Sequence, residues 1–144
     1  MEKFEKNFAK YLGVKYALSL NSCTSALELS IKANNLKKTD EVIVPSFTWV
    51  ASANAIINGG ATPVFCDSDL ATRNTTADNI EKCITNNTKA LMIVHYGGQT
   101  CEMDKILKLV KKYKIILIED SAETIGSKWK NKFAGSYGIG CFSF

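Results

Sequence analysis

Short apolar runs alternate with amphipathic segments along most of the chain, and this alternation restricts the fold more than any other feature. Residues 90–94 and 115–118 are apolar runs with the length of a buried strand. Between them, residues 103–113 place apolar side chains at helical spacing. Strands that alternate with helices pair in parallel and carry helices on both faces of the sheet. The sequence therefore predicts a three-layer α/β/α sandwich with a mostly parallel sheet.

The individual elements follow from the same periodicities and from the glycines, prolines and capping residues at their ends. The predicted helices are 2–12, a helix from residue 24 with Leu27, Ile31 and Leu36 on one face, 49–57, 79–84 and 103–113. The predicted strands are 16–20, 42–44, 63–66, 90–95 and 115–118. The length of 144 residues corresponds to one domain.

Composition excludes several classes of protein. A content of 46% hydrophobic residues with only 2 prolines supports a packed core and argues against disorder. The net charge of +4 is spread along the chain, so no nucleic-acid partner is expected. No apolar run approaches the roughly 20 residues that cross a bilayer, and the first residues lack the apolar stretch of a signal peptide. We therefore predict a cytoplasmic protein without a membrane partner.

The number and spacing of the cysteines agree with a cytoplasmic location. They are widely spaced, odd in number and contain no C-x-x-C pair, which favours reduced thiols over a disulfide framework. We predict no metal site. The cysteines are Cys23, Cys66, Cys83, Cys101 and Cys141.

Polar residues that follow the predicted strands are candidates for a site, because ligands in open α/β sheets bind at the carboxyl ends of strands. Ser22, Cys23 and Thr24 open a helix, where hydroxyls and free N–H groups can hold a phosphate, although simple helix capping is the more common role. Trp49 is either a core residue or a flat surface for a planar ligand ring. His95, the only histidine, is predicted to be a hydrogen-bonded structural residue rather than a general base.

Two carboxylates, Glu119 and Asp120, come directly after an apolar predicted strand. A buried carboxylate is costly without a cationic partner. The protonated ring nitrogen of a cofactor would be such a partner, since the carboxylate keeps the nitrogen positive and the ring can act as an electron sink. The alternative is an exposed strand end with solvated acids.

A set of motifs in fixed order covers nearly the whole chain. They are FEKNFAKYLG, SCTSAL, DEVIVPSFTWVASANAI, GATPVFCDSD, TKALMIVHYGG, EMD, IEDSAETIGSKWKNKFAGSYG and FSF. From Phe4 to Phe144 the chain resembles the large domain of the DegT/DnrJ/EryC1/StrS sugar aminotransferases, which are pyridoxal-phosphate enzymes of fold type I. Each motif alone is weak, and the ordered set is specific.

The resemblance implies a phosphate site for the cofactor. Ser22, Cys23 and Thr24 would hold the phosphate at a helix N-terminus, and the Ser143 hydroxyl of the FSF motif would add to the same site. Cys23 stands where glycine is common in this family, which bears on how closely the loop approaches the phosphate.

The resemblance also implies contacts to the cofactor ring. Trp49 would stack on the pyridine ring, and Asp120 would pair with the pyridinium nitrogen. Glu123 stands where the family usually has histidine or glutamine facing the phenolic oxygen.

The same family pattern implies that some parts lie outside these residues. The lysine that forms the Schiff base follows the FSF motif in the family, so it is expected beyond Phe144 and no catalytic residue is assigned within the chain. Residues 1–144 would form a pyridoxal-phosphate-binding large domain, truncated at both ends and without the small C-terminal domain. Such a chain is expected to be inactive alone.

The implied function is transfer of an amino group from an amino acid, typically glutamate, to a keto group of a nucleotide-linked sugar. The setting would be polysaccharide or antibiotic-sugar biosynthesis, and the enzyme would be a homodimer. Two alternatives stay open. One is a pyridoxal-phosphate-dependent deoxysugar dehydratase in which another residue replaces the lysine, and the other is a non-catalytic truncated remnant.

Overall fold

The computed structural model describes residues 1–144 as five α-helices and seven β-strands. The helices are α1 (Glu2–Leu12), α2 (Cys23–Ala33), α3 (Val50–Gly59), α4 (Ala77–Lys82) and α5 (Met103–Tyr113). The strands are β1 (Glu41–Pro45), β2 (Thr62–Cys66), β3 (Thr88–Val94), β4 (Ile116–Ser121), β5 (Lys128–Trp129), β6 (Lys132–Phe133) and β7 (Ile139–Phe142). None of the helices combines the length and the apolarity that a membrane span requires.

The main sheet contains five strands in the order β2-β1-β3-β4-β7, and every pairing in it is parallel. The remaining strands, β5 and β6, form a separate antiparallel hairpin. Parallel neighbours need crossover connections, which the helices between the strands supply. The prediction of a mostly parallel sheet is confirmed.

Helices cover both faces of this sheet, as the side chains of successive strand residues show. Ile43 and Leu91 belong to a core that includes residues of α4 and α5. Val42 and Met92 belong to a second core that includes residues of α2 and α3. Because adjacent residues of a strand point to opposite faces, these two cores lie on opposite sides of the sheet. The predicted three-layer architecture is confirmed.

Local signals placed two of the five helices at their observed bounds and the other three with boundary errors of one to three residues, and Leu36 lies beyond the end of α2 at Ala33. The bounds of α1 and α5 are those that the helical periodicity predicts. Gly13 and Gly60 end α1 and α3 in the left-handed conformation, with φ of 71° and 99°. The helix α4 begins two residues before its predicted start because the Thr76 hydroxyl accepts a hydrogen bond from the Asn79 N–H and caps it.

The strand predicted over residues 16–20 is wrong. These residues pair with no other strand, and Tyr16 and Leu18 are exposed. A strand requires a hydrogen-bonded neighbour, and the edge strand β7 does not reach this segment. Both the segment and β7 instead line an apolar cavity of about 810 Å³.

The strand β4 is longer than predicted and includes both carboxylates. Glu119 and Asp120 lie within the strand, with 0% and 6% of their surface exposed. The interpretation as an exposed strand end with solvated acids is therefore wrong.

The sequence does not predict the strand β7, because it is only four residues long and contains a glycine, which is unfavourable in strands. Gly140 is nevertheless required there. A Cβ at this position would lie 2.0 Å from the Gly135 carbonyl oxygen. The loop before β7 packs so closely on the strand that only glycine fits.

Candidate functional site

A cavity of about 580 Å³ opens at the carboxyl ends of β1, β3, β4 and β7. This is the edge of a parallel sheet where ligands generally bind. All of the residues that the sequence nominated for a site line this cavity, although they come from four separate segments of the chain. They are Ser22, Cys23, Thr24, Trp49, Asp120, Glu123 and Ser143.

The N-terminus of α2 forms one wall. The Ser22 hydroxyl accepts a hydrogen bond from the Ser25 N–H at 3.1 Å, so the predicted capping role is confirmed for Ser22. The N–H groups of Cys23 and Thr24 lie in the first helical turn and have no acceptor within the helix. These free donors and the positive end of the helix dipole make this wall suitable for an anion.

Asp120 forms the floor of the cavity. One of its carboxylate oxygens accepts a hydrogen bond from the Ser52 hydroxyl at 2.8 Å, and the other accepts from the Ala122 N–H at 3.3 Å. No lysine, arginine or histidine lies within ion-pairing distance of it. Burial raises the pKa of Asp120 above the usual range, although the Ser52 and Ala122 hydrogen bonds oppose this shift. The carboxylate is therefore a buried acid without a cation.

Cys23 lies beside this carboxylate, with its Sγ 3.9 Å from an Asp120 oxygen. Burial, and secondly the charge of Asp120, raises the pKa of the Cys23 thiol to about 12. The thiol therefore stays protonated at neutral pH and is a weak donor toward Asp120 rather than a nucleophile.

Trp49 is the N-cap residue of α3 and is 78% exposed. The interpretation of Trp49 as a core residue is therefore wrong. Its ring stands at the cavity, and the half-exposed rings of Phe47 and Tyr96 line the same opening. Tilted against each other, Phe47 and Tyr96 have centroids 4.9 Å apart.

Glu123 follows β4, lines the cavity and is held in place by the glycine turn after β3. Its carboxylate accepts a hydrogen bond from the Gly97 N–H at 2.7 Å. The adjacent charge contributes to the raised pKa of Asp120. Glu123 thus adds negative charge to a cavity that already holds one buried acid.

Glu119 does not face the cavity wall formed by α2 and α3. Its carboxylate accepts hydrogen bonds from three backbone N–H groups, those of Gly135, Tyr137 and Gly138, at 2.7 to 2.8 Å. It also lies 3.1 Å from the Nε2 of His95. Glu119 therefore anchors the loop that leads into β7. Because Ser143 directly follows β7, this anchoring also helps to position Ser143.

His95 is fully buried and hydrogen-bonded on both ring nitrogens. Its Nδ1 accepts from the Cys101 N–H at 3.1 Å, so the hydrogen is on Nε2 and is donated to Glu119. The prediction that His95 is a hydrogen-bonded structural residue is confirmed by these contacts.

Ser52 is the residue of the site that the sequence reasoning missed. It is completely buried and bridges Asp120 to the Thr48 hydroxyl, at 2.8 Å from each. A signal was present, because Ser52 precedes the buried residues Ala55 and Ile56 by three and four positions. A hydroxyl on the buried face of an apolar helix needs a polar partner, and here the partner is Asp120.

Comparison with known proteins identifies the group to which this chain is related. The family model of the DegT/DnrJ/EryC1/StrS aminotransferase family matches residues 1–144. The chain belongs to this family. The predicted resemblance is confirmed.

Relatives within this family include enzymes with stated activities. The chain is 46% identical over 145 residues to the GDP-perosamine synthase of Escherichia coli O157:H7, covering all of this chain and 40% of that protein. It spans 35% to 40% of the length of the curated relatives that it matches.

Solved structures share the fold. An aminotransferase from Psychrobacter cryohalolentis superimposes with a TM-score of 0.93 at 39% identity, covering 95% of this chain and 35% of that one. A GDP-4-keto-6-deoxymannose-3-dehydratase (ColD) carrying an H188N mutation and bound GDP-perosamine has a TM-score of 0.88 at 34% identity, covering 95% of this chain and 37% of that one. The fold is that of the type I pyridoxal-phosphate-dependent aminotransferases.

Proposed function

We propose that residues 1–144 are the cofactor-binding part of a pyridoxal-phosphate-dependent aminotransferase that acts on a nucleotide-linked sugar. The amino group of glutamate would replace the keto oxygen of the sugar, which leaves as water, and a second water would supply the keto oxygen of the 2-oxoglutarate formed from the donor. The observation that carries this proposal is Asp120, a buried carboxylate that lines the cavity without a cationic partner.

The chemistry of Asp120 matches the ring of the cofactor. A buried carboxylate is strongly stabilised by a cation that it can contact directly. A pyridinium nitrogen supplies that cation, and the Ser52 hydroxyl and Ala122 N–H orient the Asp120 oxygens toward the cavity. When bound, pyridoxal phosphate supplies the electron sink that transamination needs. Asp120 would keep the ring nitrogen protonated and thereby maintain that sink.

The other walls match the remaining groups of the cofactor. The free N–H groups of Cys23 and Thr24 and the Ser22 and Ser143 hydroxyls would hold the phosphate. The exposed ring of Trp49 would cover one face of the pyridine. The Schiff-base lysine beyond Phe144 and the division into large and small domains stay predictions.

Two further properties belong to the same proposal. We place the enzyme in the cytoplasm, which agrees with five cysteines that all carry free thiols. We also propose a homodimer, in which a second subunit would complete the site near the sugar nucleotide. Light scattering of the full gene product would measure its mass directly.

Binding of pyridoxamine phosphate to the chain tests the cofactor site. This compound shares the ring and phosphate of the cofactor but lacks the aldehyde that would react with surface lysines. In a W129F background, Trp49 is the only tryptophan, and we expect its fluorescence to be quenched as the compound binds. Replacing Trp49 with alanine should weaken binding, measured by calorimetry, on the order of 10-fold. Absence of binding by the unmodified chain would contradict the proposed site.

A dehydratase is the second candidate, because the ColD structure resembles this chain almost as closely as the aminotransferase does. The two reactions give different products from the same kind of sugar nucleotide. We expect the full gene product, supplied with glutamate and a GDP-4-keto-6-deoxy sugar, to form an aminated sugar nucleotide and 2-oxoglutarate, detected by mass spectrometry. A product that has lost a hydroxyl would favour the dehydratase, and no turnover would favour a non-catalytic remnant.

A further inference from the structure

Arg73 is the only arginine of the chain, and all other basic residues apart from the histidine are lysines. It lies in the loop between β2 and α4 with a φ of 64°, a left-handed conformation that is rare for residues other than glycine, asparagine and aspartate. A charged residue in such a position requires a loop that fixes it from both sides.

Hydrogen bonds fix this loop against the cavity. The Arg73 N–H donates to the Asp69 carbonyl oxygen at 2.8 Å. The next residue, Asn74, is buried, and its side chain accepts from the Tyr96 N–H and donates to the Gln99 carbonyl oxygen, each at 2.9 Å. Asn74 thus joins the Arg73 loop to the turn that carries Tyr96 into the cavity wall.

The guanidinium of Arg73 lies over an aromatic ring at the cavity and is free of carboxylates. It is 5.8 Å from the centroid of the Phe47 ring, and Phe47 lines the cavity. No aspartate or glutamate lies within ion-pairing distance of Arg73. The N–H groups of this guanidinium therefore keep their capacity to bind an anion.

We propose that Arg73, positioned over the Phe47 ring, forms a subsite for the diphosphate of the nucleotide-linked substrate at the mouth of the cofactor cavity. This inference rests on the proposed function, because the cofactor would occupy the cavity floor and leave the mouth to the sugar nucleotide. The planar fork of arginine donates paired hydrogen bonds to phosphate oxygens, which a lysine cannot do. Phe47 keeps the guanidinium in place and lowers the entropy lost on binding.

Calorimetric titration with GDP tests the subsite, using the complete chain saturated with pyridoxamine phosphate so that the phosphate wall of α2 is already filled. We expect GDP to bind, guanosine to bind at least 10-fold more weakly, and R73Q to weaken GDP binding on the order of 10-fold or more. R73K retains the positive charge but not the planar fork, so its affinity for GDP should lie between that of the wild type and that of R73Q. K89Q is the matched control. Lys89 is exposed and lies at the start of β3, whereas the cavity opens at the carboxyl ends of the strands.

The outcomes separate this inference from the proposed function. If pyridoxamine phosphate does not bind, the proposed function fails. If it binds with equal affinity to wild type and R73Q, and GDP binding is the same in R73Q as in K89Q, the diphosphate subsite is overturned. Absence of GDP binding, or equal affinity for GDP and guanosine, would also overturn it. Selective loss of GDP affinity in R73Q supports it.

Discussion

Replacing Asp120 with asparagine is expected to reduce the affinity for pyridoxamine phosphate on the order of 100-fold or more while making the ligand-free chain more stable at neutral pH. The loss of affinity follows because the amide cannot balance the charge of the pyridinium. The gain in stability follows because the ligand-free chain no longer buries an unpaired carboxylate. Calorimetry and thermal unfolding measure the two effects on the same samples.

The stability difference between wild type and D120N should depend on pH. Because burial raises the pKa of Asp120, the folded chain holds this proton more tightly than the unfolded chain does. Stability of the wild type is therefore lost as the pH rises from the usual pKa of an aspartate through the raised value. Below the usual pKa, the protonated acid and the amide should give nearly equal stability.

An aspartate on the surface provides the control. Asp104 is exposed in the first turn of α5, bonds to Trp129 and Lys130 and does not line the cavity, so D104N makes the same chemical change away from the site. We expect D104N to bind pyridoxamine phosphate as the wild type does. If D120N also retained full affinity, Asp120 would have no role toward the ring nitrogen.

Replacing Glu119 with glutamine is expected to destabilise the chain by about 3 kcal/mol, which corresponds to a fall in melting temperature on the order of 10 °C. The carboxylate accepts from three backbone N–H groups and from His95, and an amide would turn an N–H donor toward some of these donors. Differential scanning calorimetry measures the effect. Hydrogen exchange should show faster exchange at Gly135, Tyr137 and Gly138.

An exposed glutamate separates this effect from the general consequence of losing a charge. Glu81 bonds to Lys112 and Tyr113 at the surface, and E81Q should change the melting temperature little. Equal melting temperatures for E119Q and E81Q would show that the contacts of Glu119 do not hold the loop before β7.

Periodic local signals made much of the fold predictable. Apolar residues at helical spacing gave α1 and α5 their correct bounds, and Gly13 marked the end of α1. The segment 16–20 has the composition of a strand but does not form one. Pairing depends on a distant neighbour that the local sequence does not encode. The reverse error concerns β7, which forms a strand although its local sequence does not predict one. Its pairing with β4 and the hydrogen bonds of Glu119 outweigh its poor local propensity.

The candidate site was predictable as a set of residues but not as an arrangement. Strand-end positions and the family motifs nominated Trp49 and Asp120, and both line the cavity. The bond between Ser52 and Asp120 could not be foreseen, because it joins residues 68 positions apart in sequence. Arg73 was likewise not nominated, since a single exposed arginine in a polar loop carries no signal until its neighbours are known.

The adjacent carboxylates of β4 have a consequence for how this strand is aligned. Glu119 pairs in register with Ile93 of β3, and Asp120 pairs with Val94. A slip by one residue would turn every β4 side chain to the other face, exchanging the longer and shorter acids between the loop donors and the cavity. Neither acid would then satisfy its new surroundings, and the apolar neighbours would be displaced as well. The Glu-Asp pair therefore makes a shifted alignment of β4 unfavourable and so helps to specify the register of this strand.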